Sequence, residues 1–286
     1  MNFASIAQYL SETHSRIPPG PVAILFVEDL AEIAATVAHH LRIGFSHILL
    51  IGRVSGDVSV PEGASITRIG EPVRSRGDAV AILNTLIDRF NGRWLYWGFN
   101  AEFLFYPYME SRTITDLTTF MVEERRDHVF GYVLDLYASD LDAAGDGVSR
   151  KTAHFDGSGY YGFQRYAEGH ALDRQFDIFG GLTWRYEEFV PWDRRRIDRI
   201  PLFRAVEGLR MNDDLTLNVP EMNTLSCPWH HNVTAAVASF RVAKSLKRNP
   251  GSMFEIESFV WRGSTRFEWT SEQLLELGII EPGQWF

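Results

Sequence analysis

The sequence has a single cysteine, Cys227, among its 286 residues. One cysteine cannot close a disulfide within the chain, and it cannot supply the several thiolates of a structural zinc cluster. Long apolar stretches are also missing, because no run approaches the roughly 18 residues that a membrane-spanning helix requires. The N-terminal segment lacks the charged region and hydrophobic core of a signal peptide. These features predict a cytoplasmic protein, where thiols stay reduced.

An excess of positive charge is lacking as well, since the net charge is −9. This balance argues against a nucleic-acid partner, because neutralising phosphates requires clustered lysine and arginine. Aromatic residues, in contrast, make up 13% of the chain, with eight tryptophans and twenty phenylalanines. Such a surplus favours stacking on sugar or base rings, but it serves core packing equally well. Peripheral membrane contact through aromatic loops stays open, as does the oligomeric state.

The first half of the chain alternates apolar runs with amphipathic segments. This pattern predicts a strand at 22–27, a helix at 30–41, strands at 47–51 and 65–69, a helix at 78–90 and a strand from Trp94. Strand, helix and strand within about thirty residues form a parallel βαβ unit. We therefore predict an α/β fold with a Rossmann-type mixed sheet, mostly parallel and flanked by helices.

The second half has weaker patterns. They predict a helix at 114–125, a strand at 129–137, a helix at 233–248 and a C-terminal helix at 271–277. The segment 154–181 is rich in glycine, tyrosine, phenylalanine and aspartate and has little periodicity. This composition indicates ordered loops laid over a site, within a loop-rich C-terminal extension of the same domain.

Polar residues follow three of the predicted strands where each strand ends. They are Glu28 and Asp29, then Gly52 and Arg53, then Asn100 and Glu102. The carboxyl ends of parallel strands meet at one edge of a sheet, where α/β proteins bind ligands. The sequence thus predicts a nucleotide-sized cleft at this edge. The alternative, strands that end in solvated turns, is left open by the spacing.

Four segments carry a resemblance to a known family. They are Phe26-Val27-Glu28-Asp29, the stretch 39–47 with its histidines and Gly44, Phe99-Asn100-Ala101-Glu102-Phe103, and His230-His231. In this order they resemble bacterial family-2-like glycosyltransferases of the GT-A fold. The resemblance covers residues 20–135 well and 225–250 loosely, and it does not cover 140–220 or the C-terminal tail.

This resemblance implies a transferase that moves a sugar from a nucleotide-sugar donor, a UDP-sugar, to a cell-envelope saccharide or lipid-linked acceptor. Residues 1–140 would form the donor-binding half, and residues 141–286 the acceptor-side half with its extension. The residues placed against the donor by this comparison are Val27, Glu28, Asp29, Gly52, Arg53, Arg76 and Asn100. The arginines would face the diphosphate, and Asp29 would accept from uracil or ribose.

The family's metal motif departs from its pattern here, because its two aspartates fall on Phe99 and Ala101. Asn100 and Glu102 remain as oxygen ligands for Mn²⁺ or Mg²⁺, and His230 or His231 would assist. A neutral amide offers only a dipole, so we expect weaker metal affinity. The alternative is a non-catalytic binding or assembly protein that has kept the fold and lost the metal chemistry.

Sugar transfer with inversion needs a base that takes the proton of the acceptor hydroxyl. Asp177 is the first candidate because it precedes Gly180 and Trp184, where backbone and ring could approach a sugar. Asp173 is the second. A metal hydrolase is a weaker alternative, since no helical spacing of ligands links its histidines, His154, His170, His230 and His231.

Overall fold

The computed structural model describes residues 1–12, 17–53, 63–227 and 229–285, and within these the chain is a mixed α/β protein. Its largest sheet has nine strands and is flanked by helices. The strands are β1 Asn2–Phe3, β2 Val22–Phe26, β3 His47–Ile51, β4 Ile66–Ile69, β5 Trp94–Phe99, β6 Glu102–Phe105, β7 His128–Asp135, β8 Tyr137–Ala138, β9 Ala153–Asp156, β10 Tyr161–Ala167, β11 His170–Phe179, β12 Asp198–Arg204, β13 Thr234–Ser239 and β14 Ser264–Arg266. The helices are α1 Ile6–Glu12, α2 Ile33–Arg42, α3 Arg76–Arg89, α4 Ile114–Glu123, α5 Gly181–Arg185, α6 Arg241–Arg248 and α7 Ser271–Glu276.

The chain divides into two compact units, each assembled from separate segments. The first unit contains Met1–Phe103, Tyr108–Phe130 and Ile200–Asn223, and the second contains Leu104–Pro107, Gly131–Arg199 and Thr224–Phe286. The predicted halves, 1–140 and 141–286, divide the chain at one point, whereas each of these units consists of three separate segments of the chain. No helix among the described residues has both the length and the apolar character of a membrane span.

In the first unit, five parallel strands lie side by side in the order β1-β4-β3-β2-β5, and β12 adds antiparallel to β5. Four of the strands end at the same level. Phe26 is paired with both Ile51 and Phe99, and Ile51 is paired with Ile69. The prediction of an α/β fold with aligned strand ends is confirmed, while the GT-A assignment stays a prediction.

The helix α3 shows why the first half was readable from sequence. Ser75 caps its N terminus, accepting from the Asp78 backbone N–H while the Asp78 carboxylate accepts from the Ser75 N–H. This capping box satisfies donors that the first turn leaves unpaired. The helix buries an apolar face that includes Val80, Leu83 and Ile87, as the 3.6-residue period predicts.

The prediction of loops over 154–181 is wrong, because β10 and β11 pair antiparallel along this stretch of the second unit. Glu168 and Gly169 both have positive φ, 50° and 80°, and connect the paired residues Ala167 and His170. Two such residues form the primed type of turn that joins hairpin strands. The usual asparagine or aspartate is replaced here by glutamate, so the turn was not recognised in the sequence.

The predicted helix at 233–248 is also corrected, since its first part is the strand β13 and only Arg241–Arg248 is helical. All six residues of β13 are buried. Its alanine-rich sequence suits a helix by local propensity, and tertiary pairing overrides that preference. Two smaller sheets also lie in the second unit, namely the β10–β11 hairpin and a three-stranded sheet of order β14-β9-β8.

Gly98 provides a test of packing in the first unit. A Cβ at this position would lie 2.6 Å from the Tyr96 hydroxyl oxygen and 3.2 Å from Glu102 Oε2. We expect Gly98→Ala to lower the free energy of unfolding by about 1–3 kcal/mol, because the closely packed atoms around Gly98 would have to move to make room for a methyl group. Urea denaturation measures this change, and an unaltered midpoint would contradict it. Gly77→Ala is the control, because its Cβ would meet only Ser75 Oγ at 3.7 Å.

Candidate functional site

The side chain of Asn100 joins two strand ends of the first unit. Its Oδ1 accepts from the Glu28 backbone N–H at 2.9 Å. Its Nδ2 donates to Asp29 Oδ1 at 2.6 Å and to the Ala31 carbonyl at 2.9 Å. The residue is buried, whereas Asp29 is only half-buried. Asn100 therefore fixes the loop that follows β2 against the end of β5.

The other predicted donor-site residues surround this cluster at the same sheet edge. Val27 is buried and contributes its backbone, donating to the Ile51 carbonyl at 2.7 Å. Gly52 has a φ of 152°, and a Cβ there would collide with the Val27 carbonyl oxygen, so only glycine allows this close approach. Glu28 and Arg53 are exposed. The edge thus presents acidic and basic groups to solvent above a closely packed floor.

Arg76 begins α3, after the loop that follows β4, and its Nη1 donates to the Asp213 carbonyl at 3.4 Å. The capping box of Ser75 and Asp78 already satisfies two of the N–H groups at this helix N terminus. Arg53 and Arg76 are the guanidinium groups at this edge that could bind an anion.

Glu102, the predicted carboxylate ligand, is buried in the first unit, and its Oε2 accepts from the Phe99 backbone N–H at 2.9 Å. Nearby, the His40 ring stacks on Tyr96 with the ring centroids 4.7 Å apart. Burial lowers the pKa of His40 to about 4, and the Thr36 carbonyl, 2.8 Å from its Nδ1, opposes this shift. The surroundings of Glu102 are therefore those of a packed interior with a neutral imidazole.

The predicted histidine ligands belong to the second unit. His231 is exposed, and its Nδ1 lies 2.9 Å from Glu281 Oε2. His230 Nδ1 lies 3.2 Å from the sulfur of Cys227, the one thiol of the sequence. The two rings thus have different partners, as expected for adjacent histidines on an irregular segment.

Asn100 and Glu102 do not fit a divalent cation in this arrangement. The amide oxygen of Asn100 is engaged by a backbone N–H, and Glu102 is turned into the interior. Across the part of the chain that the structure describes, no group of three or more histidine, cysteine, aspartate or glutamate side chains could hold a metal ion. The metal assignment to Asn100, Glu102, His230 and His231 stays a prediction.

The two predicted bases lie on β11, in different surroundings. Asp177 Oδ1 is 2.7 Å from Arg165 Nε and 3.1 Å from Arg196 Nε. The same arginines each place an Nη2 2.7 Å from Asp198 Oδ2, so two arginines and two aspartates form one network. Asp173, in contrast, is exposed and pairs with its neighbour Arg174. Asp177 therefore has a clear structural role, and its role as a base stays a prediction.

Sequence reasoning missed a second group of buried polar residues, at the ends of β7 and β9 in the second unit. Asp156 is buried, and its Oδ1 accepts three hydrogen bonds. The donors are the Tyr137 hydroxyl at 2.6 Å, Arg185 Nη1 at 2.9 Å and Trp261 Nε1 at 2.8 Å. Three donors from separate segments, one of them charged, therefore hold the Asp156 carboxylate in place.

Asp135, in the same group, has the opposite character. Its Oδ1 is buried and has no hydrogen-bond partner among the described residues, and its Oδ2 accepts from the Thr183 N–H at 3.3 Å. Gly181 has a φ of 65°, and a Cβ there would lie 2.8 Å from Oδ2. Burial raises the pKa of Asp135 to about 7, and the charge of Asp156 adds to the rise. Asp135 therefore exchanges its proton near neutral pH.

A signal for Asp135 was present in the sequence. Like Glu28 and Asp29, it ends an apolar strand, but the predicted strand ran on to Tyr137 and placed Asp135 in its interior. The hydrogen-bond partners of Asp156 lie up to 105 residues away, at Trp261. Such distant contacts leave no mark on local periodicity.

No known family model matches the chain, and no curated protein is found to be similar to it.

Replacing Asn100 by aspartate tests its role as a link between strand ends. In Asn100→Asp, the new carboxylate would face the carboxylate of Asp29 across the former 2.6 Å contact. It could no longer donate a hydrogen bond to Asp29 or to the Ala31 carbonyl. We expect a loss of about 3 kcal/mol in the free energy of unfolding at pH 7, the cost of an uncompensated buried charge. Part of it returns at pH 4, where one carboxyl takes up a proton. Denaturation curves at both pH values measure this. Asn91→Asp, in an exposed turn, should change little, and equal effects at the two positions would contradict the assignment.

The raised pKa of Asp135 makes the folded protein sensitive to pH. An unfolded aspartate titrates near 3.9, so the folded state keeps a proton that the unfolded state releases as pH rises from about 4 to about 7. The contribution of Asp135 to the free energy of unfolding is therefore most favourable below this pH range. It decreases as the pH rises through the range, by an amount on the order of a few kcal/mol. We expect Asp135→Asn, which stays neutral, to flatten this dependence.

Urea denaturation at pH 5 and pH 8 gives the measurement. The wild type should lose more stability between these values than Asp135→Asn does, and Asp142→Asn, in an exposed position, should follow the wild type. Parallel pH profiles for the wild type and Asp135→Asn would show that Asp135 is ionised in the folded protein at both values.

Proposed function

We propose that this chain is a glycosyltransferase of GT-A-like fold that moves a sugar from a UDP-sugar donor to a cell-envelope saccharide or lipid-linked acceptor. The supporting observation is the first unit's sheet edge, where four parallel strands end in register and Asn100 holds Asp29 in place. Ligand sites of α/β proteins form at such edges. The resemblance of the strand-end segments to family-2-like glycosyltransferases gives this edge its proposed ligand.

In this proposal the half-buried Asp29 accepts a hydrogen bond from the uracil or the ribose. Its orientation is fixed beforehand by Asn100, so that little order has to be gained on binding. Arg53 and Arg76 neutralise the diphosphate, a role for which guanidinium groups are well suited. No step is assigned to a metal ion, because the contacts of Asn100 and Glu102 do not fit one.

The transfer itself would be a direct displacement. The acceptor oxygen forms a bond to the anomeric carbon, the bond from that carbon to the diphosphate oxygen breaks, and UDP leaves with the electron pair. The proton of the acceptor hydroxyl passes to a carboxylate. Asp177 and Asp173 are the bases predicted from sequence.

A second candidate is a non-catalytic protein that binds a nucleotide-sugar or serves in assembly. The specific observation in its favour is that the two aspartates of the family's metal motif fall on Phe99 and Ala101, whose side chains have no oxygen to offer a metal. Such a protein would bind the donor and show no turnover.

Calorimetric titration of UDP into the purified protein, first with Mn²⁺ and then with EDTA, tests the proposal. We expect binding under both conditions, because arginine side chains and not a metal would hold the diphosphate. Binding that requires Mn²⁺ would instead support the predicted metal site at Asn100 and Glu102. The absence of binding in either condition would contradict the proposed donor site.

Two arginine variants localise the donor site. We expect Arg53→Ala to weaken UDP binding about tenfold, the effect of one lost charge-assisted contact. Arg42→Ala is the matched control, since Arg42 is an exposed arginine at the end of α2, which precedes β3 at the opposite edge of the sheet. Equal affinity of both variants would argue against a diphosphate at Arg53. Release of UDP from UDP-sugars in the presence of saccharide acceptors then separates the transferase from the binding protein.

A further inference from the structure

Five aromatic side chains of the second unit form a connected group at the β10–β11 hairpin. The Phe179 ring is 5.7 Å from Phe163, 5.7 Å from Trp184 and 5.3 Å from Trp192 between centroids. Tyr161 joins through Trp184 at 5.8 Å. We call these five rings the aromatic platform. The rings support one another, so the platform has a defined shape.

Much of the platform is open to solvent. Tyr161 is 49% exposed, Phe163 53% and Trp192 65%, whereas Phe179 is buried beneath them. Alternate positions of a hairpin strand face the same side, which explains why Tyr161 and Phe163 emerge together. Large rings exposed side by side are unusual on a soluble surface and mark sites of interaction. Packing alone accounts for Phe179, but it does not account for the three exposed rings.

The border of the platform is polar and already ordered. Asp177 is the cross-strand partner of Phe163 and is held by Arg165 and Arg196. The guanidinium of Arg195 lies 5.5 Å from the Trp192 ring centroid and its Nη1 is 2.8 Å from Glu187 Oε2. The flat faces of aromatic rings therefore lie next to acidic and basic side chains that ion pairs hold in position.

This combination selects among possible occupants. An anionic membrane surface is attracted by an excess of lysine or arginine, and Arg165, Arg195 and Arg196 at this border are paired with Asp177, Asp198 and Glu187. A sugar ring, in contrast, offers C–H faces to aromatic rings and hydroxyl groups to charged side chains, and it carries no net charge. Sites for such ligands combine aromatic walls with a few placed polar groups.

We propose that the aromatic platform binds a neutral oligosaccharide, with Phe163 and Trp192 as the stacking surfaces and Asp177 at their border as a hydroxyl acceptor. Its identification as the acceptor of sugar transfer rests on the proposed function. The binding of saccharide by the platform does not depend on it. Trp184, which the sequence singled out as a sugar platform, lies beneath Tyr161 as a supporting ring.

The test uses affinity electrophoresis and tryptophan fluorescence of the full chain with cellohexaose and chitohexaose as soluble probes. We expect at least one of them to bind the wild type, and Phe163→Ala and Trp192→Ala each to weaken this binding about tenfold, as loss of a central aromatic contact does. Tyr166→Ala is the matched control, since Tyr166 is 64% exposed on the same strand but outside the five rings. It should bind like the wild type.

Three results would overturn the inference. The first is that neither probe binds the wild type. The second is that Trp192→Ala binds a probe as tightly as the wild type does. The third is that the wild type sediments with vesicles of phosphatidylcholine and phosphatidylglycerol and that Trp192→Ala abolishes this sedimentation.

UDP titration of the same variants keeps the two proposals separate. Unchanged UDP affinity in Trp192→Ala, together with lost saccharide binding, supports the platform and shows that the variant is folded. Saccharide binding that depends on Trp192 in a protein without UDP affinity would refute the donor site and leave the platform standing.

Discussion

The first unit depends on one buried amide, that of Asn100. Its oxygen accepts a backbone N–H from the loop after β2, and its nitrogen donates to a carboxylate and a carbonyl of that loop. An aspartate could not donate these bonds, and an apolar residue would remove all three of them. The choice of asparagine therefore fixes how the strand ends meet, and the orientation of Asp29 at the sheet edge follows from it.

The second unit contains two buried carboxyls with different surroundings. Asp156 accepts from a tyrosine, an arginine and a tryptophan, whereas Asp135 keeps one oxygen without a partner. Pairs of titratable groups with such different environments are found at sites of acid–base chemistry. They also occur in structural networks, and the cost in stability that Asp135 imposes at neutral pH is a reason to expect a use for it.

Local sequence patterns were sufficient for much of the first unit. Apolar runs, the amphipathic periodicity of the helices and the polar residues after the strands carry enough information to place strands, helices and the polar edge. They failed where the partner of a residue lies far along the chain. The buried strand β13 reads as helical by its alanines, and the hairpin turn at Glu168 and Gly169 lacks the usual asparagine or aspartate. The donors to Asp156 come from three distant segments, so this site could not be assembled from spacing.

The direction of the Glu102 side chain is likewise decided by packing and not by local sequence. Its position after a strand end favours a ligand, but only the fold shows that Gly98 leaves room for its carboxylate to turn inward, beside the Tyr96 hydroxyl. The direction of a side chain at a strand end is decided by what packs against it. Asp29 and Glu102 are both acidic and both near the edge, yet one is half-buried at the surface and the other is enclosed.

Hydrogen–deuterium exchange with and without UDP tests most directly whether the strand-end edge of the first unit binds the nucleotide. The account predicts slower exchange in peptides that contain residues 27–32 and 70–76, the loops after β2 and β4, and unchanged exchange in the β10–β11 hairpin. Slower exchange confined to the second unit, or no change at saturating UDP, would contradict the proposed site.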